Sequence, residues 1–142
     1  MKITEILLVE HQMMRALFAN VETLLPTLMT LQEIHLVTQI IEGVLDPHGK
    51  GEEDFLFSAY NQICQQKKTT LHSYQEHKDI HSSLVLVKNA RQPAHARELL
   101  KMALLVSREH FNREERGILP LIEKTMSPQT LEDLGQAWLK RE

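Results

Sequence analysis

Two short patterns occur twice in the sequence. Glu10-His11 returns as Glu76-His77, and His48-Gly49-Lys50-Gly51-Glu52-Glu53 returns as His110-Phe111-Asn112-Arg113-Glu114-Glu115. An apolar pair follows each long copy, Leu56-Phe57 and Ile118-Leu119. The first and second histidines stand 37 residues apart in one half and 33 in the other. Surface or core histidines have no reason to recur with Glu at a fixed offset. On a helix, His-x3-Glu puts imidazole and carboxylate on one face, about 6 Å apart along the axis. That spacing lets both side chains reach one metal centre. His77 and His81 are likewise one turn apart. The donor set is then His11, His48, His77, His81 and His110 with Glu52 and Glu114. A single tetrahedral zinc takes about four ligands. Seven suit a dinuclear site with the carboxylates bridging.

Composition fits such a centre. There are eight histidines against seven Phe, Trp and Tyr, and one cysteine. Disulfides and thiolate sites are excluded, leaving iron, manganese or zinc as partners for imidazole and carboxylate. Neither Glu-x-x-His nor His-Glu-x-x-His occurs, so the ferritin-like and zincin patterns are absent. A net charge of −3 gives no support to a nucleic-acid partner. The longest apolar run, Met102 to Val106, cannot span a bilayer. Glu5 and Glu10 interrupt the N-terminal apolar stretch, against a secretory signal. With a lone cysteine, Cys64, the expectation is a cytoplasmic protein.

The elements that position these residues are helical. Apolar residues at spacings of three and four predict a helix over about 3–25, ended by Pro26. A second helical region runs from near Thr27 to about Gln66. Asp46-Pro47 reads as an N-cap and first-turn proline that kinks or splits it. A third helix covers 69–90. A fourth opens at Pro93 and runs to about Leu119, or past a kink at Pro120. Ser127-Pro128 starts a short fifth. No stretch has convincing strand alternation. The expectation is one all-α domain over 1–142. It is an antiparallel up-down four-helix bundle over about 3–125 with an additional short C-terminal helix over about 128–141.

The repeat also predicts an asymmetry. His81 has Arg15 as its counterpart, four residues after His11. One ion would gain a third imidazole and the other keep a vacant position for a small molecule. Leu7, Leu8, Phe18, Ile41, Leu84, Ala103, Val106 and Ile118 would line it. Tyr74 is a candidate donor to a bound ligand, with core packing as its alternative. His35, His72 and His95 fall to ordinary roles, and Glu53 lies outside or beside the site. Pro47, Gly49 and Gly51 predict a bent or loosely held backbone around His48.

In this order on four helices, the motifs Glu10-His11, His48-x3-Glu52-Glu53-x2-Leu56-Phe57, Glu76-His77-x3-His81 and His110-Phe111-x2-Glu114-Glu115-x3-Leu119-Pro120 resemble the hemerythrin-like, or HHE cation-binding, family over about residues 4–124. The resemblance implies two non-haem iron ions with an oxo or hydroxo bridge. By position, His77, His81 and His110 would hold one iron and His11 and His48 the other, with Glu52 and Glu114 bridging. Oxygen carriers of the family place the helix-4 carboxylate at the slot of Glu115, which makes that residue the alternative to Glu114. The expected function is binding, storage or sensing of dioxygen, a binding protein rather than an enzyme. The alternative is an iron-dependent stress protein that handles nitric oxide or peroxide, or donates iron to damaged centres.

Overall fold

The computed structural model describes residues 1–65 and 68–141, which are helical throughout except for short connections and contain no strand. Helix α1 (Ile3–Leu24) starts where the Lys2 N–H donates to Glu5 Oε2 at 2.8 Å, and gives way to a 3-10 turn at Leu25–Thr27 around Pro26. Helix α2 (Leu31–Gly51) begins at Thr30, whose hydroxyl oxygen accepts the Glu33 N–H at 3.2 Å. A π-helical stretch, Glu52–Phe57, carries the chain into α3 (Ser58–Cys64). Helix α4 is Lys68–Asn89, and α5 is Pro93–Arg116. Helices α6 (Ile118–Thr125) and α7 (Pro128–Leu139) follow, the last capped by Ser127. α4 packs on α5 and α2, α5 on α2 and α1, and α7 on α1 and the π stretch.

Two boundaries differ from the sequence reading. Pro47 lies inside α2 and does not split it. The carbonyl that its ring crowds and leaves unpaired belongs to Gly43, where the backbone yields most readily. The irregularity comes five residues later, in the π turn that opens at Glu52. Likewise α5 ends at Gly117 rather than at Pro120, which sits in the first turn of α6 and needs no hydrogen-bonded N–H there. The end of the second helical region expected near Gln66 lies outside the described residues, as does Lys67.

Gly49 and Gly51 also have a use other than loosening the helix. A Cβ on Gly49 would stand 3.3 Å from the His77 ring, and one on Gly51 only 2.7 Å from the Trp138 ring. Their missing side chains give space to those rings.

The apolar core is divided. One cluster holds Met14, Phe18, Ile34, Ile41, Leu84, Leu100 and Phe111, among others. The second holds Ile3, Leu7, Leu56, Phe57, Leu119, Ile122, Leu131 and Trp138. Between them, on every long helix, lies a layer of buried polar residues: His11, His48, Glu52, Glu76, His110 and Glu114. Of the expected lining residues, Leu8 is instead exposed.

Because α2 runs through Pro47, Pro47→Ala restores a helical hydrogen bond at an exposed position. Urea denaturation should show a gain of about 2 kcal/mol with unchanged helical content. A helix that broke at this residue would gain nothing.

Candidate metal centre

His11, His48, Glu52, His110 and Glu114 each continue a buried helical stripe. In α1 the stripe is Ile3, Leu7, His11, Met14, Phe18 and Val21; in α5 it is Leu100, Ala103, Ser107, His110 and Glu114. His48 closes the stripe of Ile34, Thr38, Ile41 and Leu45, and Glu52 follows one turn later at the mouth of the π stretch. The polar layer is therefore placed by the same periodicity that places the core.

Within that layer the donors form two groups of four. One is His11, His48, Glu52 and Glu114; the other is His77, His110, Glu52 and Glu114. The Nε2 atoms of His11 and His48 are 3.0 Å apart, as are those of His77 and His110. Both carboxylates serve both groups. Glu52 turns Oε1 to His48 at 3.2 Å and Oε2 to His77 at 3.2 Å. Glu114 turns Oε2 to His11 at 3.5 Å and Oε1 to His110 at 3.3 Å. None of these four oxygens has a hydrogen-bond partner, although all are buried. An unpartnered buried carboxylate is costly, and its usual remedy is a cation. Four carboxylate oxygens and four imidazole nitrogens converge there, and this donor set fits a pair of metal ions.

Each imidazole is anchored from behind. The Nδ1–H of His11 donates to Glu115 at 3.0 Å, that of His48 to Glu10 at 2.7 Å, that of His77 to Glu53 at 2.8 Å, and that of His110 to Glu76 at 2.5 Å. This leaves Nε2 as the inward base and raises its donor strength. The anchors are themselves held. Arg15 reaches Glu115 at 2.7 Å, and Arg113 reaches Glu76 at 2.6 Å. Glu10 accepts from Trp138 Nε1 at 2.7 Å and from Arg141 at 3.2 Å. His72, although its side chain is 75% exposed, brings Nε2 to 2.6 Å from Glu76. Phe111 stacks on His11 at 4.3 Å between ring centroids and walls the centre on that side.

Charge follows the same division. Burial opposes ionisation of Glu52, but His48 and His77 hold its carboxyl well below the usual range. Burial and the charge of Glu52 push Glu114 well above it. Burial works against protonated His48, yet Glu52 and Glu10 raise it to about 9, and Glu52 raises His77 in the same way. Burial lowers His11 to about 4 and lowers His110 as well. Without metal, these shifts favour the protonated forms of His48, His77 and Glu114.

A family model described as Hemerythrin HHE cation binding domain matches residues 2–122, which include all six of these donors. The chain belongs to this family. Searches of curated proteins and of solved structures return no match. In this hemerythrin HHE domain the match stops short of α7, so Trp138 and Arg141 lie outside it.

The HHE domain brings together His11, His48, Glu52, His77, His110 and Glu114, and leaves His81 out of both groups. The His81 side chain is 57% exposed and its Nδ1 lies 3.7 Å from Asp46. The reason is rotation: four residues advance an α-helix by about 400°, some 40° beyond a full turn. His77 already sits at the edge of the buried face of α4, and one turn later the stripe has passed to Ile80 and Leu84. Each group therefore contains two histidines and the two shared carboxylates, with His81 outside both. Glu115 anchors His11 and is not a bridge. Tyr74 packs beside Phe57 with its hydroxyl toward the Glu53 carbonyl at 3.5 Å, so it takes the packing role. Glu53 and Glu115, expected either beside the site or exposed, are anchors, and Glu10 and Glu76 are anchors to which the sequence assigned no role. The signal was present, because each is the neighbour of a repeated ligand. Among the described residues, no helix is long and apolar enough to cross a membrane.

Two outcomes follow for the HHE domain. His81→Ala should leave bound metal per chain unchanged by elemental analysis, whereas a three-plus-two centre would lose an ion. Metal must also displace the protons on His48, His77 and Glu114. Lower pH fills those positions with protons, so affinity should rise between pH 6 and 9. Titration calorimetry in buffers of different ionisation enthalpy should register proton release on loading.

Proposed function

We propose that the chain holds a dinuclear non-haem iron centre in an antiparallel up-down four-helix bundle, and that the centre engages a small diatomic molecule, dioxygen or nitric oxide. The observation that carries this reading is the pair of four-donor groups sharing both carboxylates. Two nitrogens bound to one ion at about 2.1 Å and about 90° stand about 3 Å apart, and at a tetrahedral angle about 3.4 Å. The 3.0 Å separations are compatible with two nitrogens on one octahedral ion such as iron. A di-iron pair, when bound, supplies two adjacent redox-active ions with positions that the protein does not fill.

The residues of the chain orient the donors and limit water. Glu10, Glu53, Glu76 and Glu115 fix the imidazole rings, while Phe111 and the two apolar clusters surround the layer. A cavity of about 740 Å³ reaches His48, His77 and His110 from the surface and gives a small molecule its route.

Binding, storage or sensing of dioxygen is one use of such a centre. Reaction with nitric oxide or peroxide, or release of iron for repair of damaged centres, is the other. The vacancy expected on one ion alone rested on His81, which stands outside.

Iron analysis and absorption spectra of one sample, reduced and then exposed to dioxygen or nitric oxide, test both uses. About two irons per chain are expected. Bands that return on cycles of dioxygen addition and removal would establish carriage; steady consumption of nitric oxide or peroxide would establish reaction. Loss of metal should also be shared: Glu52→Ala should empty both positions, whereas His11→Ala should spare most of the second ion.

A further inference from the structure

The four inward donors of each group match, but their outer supports do not. Glu76, behind His110, is held by Arg113 and by the exposed His72. Its counterpart Glu10, behind His48, is held by α7. Trp138 Nε1 donates to Glu10 Oε1 at 2.7 Å while the carboxylate's Oε2 accepts from His48 at 2.7 Å. Arg141 adds donors at 3.2 and 3.5 Å, and its guanidinium lies 3.4 Å over the Trp138 ring. The seat for α7 is built by close approach. Gly51 leaves room for the Trp138 ring, and a Cβ on Gly135 would meet the Met1 carbonyl at 2.3 Å. Trp138 is itself buried and its ring centroid is 6.0 Å from that of His48.

Exposure runs the other way. The His11 side chain is fully buried and that of His77 is 12% exposed, the most open of the four imidazoles. The cavity is lined by His77, Gly49, Glu53 and His110, and not by His11. His48 also reaches the cavity, but its outer nitrogen is engaged by Glu10, which Trp138 and Arg141 hold.

We propose that α7 is a clamp on one metal position: Trp138 and Arg141 hold Glu10, Glu10 orients His48, and the His11–His48 position retains its ion while the His77–His110 position exchanges. Trp138 and Arg141 are positioning residues, since neither reaches the metal groups. The proposal rests on the dinuclear reading above.

The test uses the full chain loaded anaerobically with Fe(II) and challenged with excess EDTA. Iron release is followed directly, and the emission of Trp138, the only tryptophan in the sequence, reports the nearby position. The wild type should lose iron in two steps, with emission recovering in the slow one. Trp138→Phe and Arg141→Gln should speed the slow step by about 10- to 100-fold and leave the fast one alone. Arg113→Gln, on the opposite support, should speed only the fast step. Arg141→Gln changes a residue at the rim, so it carries the test if Trp138→Phe fails to fold. A chain that binds fewer than two irons overturns the dinuclear reading and the clamp with it. Two irons that leave at one rate, or α7 substitutions that affect both steps equally or neither, overturn the clamp alone.

Discussion

Four buried carboxylate oxygens without a donor, on Glu52 and Glu114, are the constraint around which the rest is arranged. Removing two carboxylates from water costs several kcal/mol each unless cations or protons compensate. Helices cannot supply that compensation from their backbones, whose N–H groups are already paired within the helix. His48 and His77 supply part of it, since Glu52 favours the protonated form of both rings. The polar layer therefore depends on being fully furnished: partial occupancy by donors would leave a charge in the middle of the molecule.

The outer carboxylates make that layer stiff as well as satisfied. Glu10 and Glu76 anchor histidines of their own half of the sequence, His48 and His110. Glu53 and Glu115 reach across to His77 and His11 of the other half. Adjacent residues thus face two different neighbours, Glu52 inward to both groups and Glu53 outward to one ring. The π turn starting at Glu52 lies where the chain must present both, and such turns are common at functional sites.

Much of this was legible in the sequence because the repeat is local. His-x3-Glu fixes two side chains on one face of one helix, and its recurrence with Glu-His identifies six donors without any knowledge of packing. What could not be read depends on angles between elements. His77 and His81 satisfy the same one-turn rule as His48 and Glu52, yet the 40° drift carries His81 to the surface because His77 stands at the margin of its face. Pro47 carries a helix-start signal that packing of α2 overrides. Gly49 and Gly51 read as weak points until His77 and Trp138 are seen to occupy the space they leave. Trp138 and Arg141 lie far along the chain from Glu10, and no spacing rule connects them.

The two halves of the sequence carry equivalent donors, and each needs the other's outer carboxylate to complete it. Two identical copies of one half, associating about a twofold axis, would present the same six donors, but symmetry would oblige their two donor groups to be alike. Joining the copies in one chain removes that obligation. A single added helix can then lean on one half only, and covalent linkage becomes the means by which a repeated donor set acquires two distinguishable surroundings.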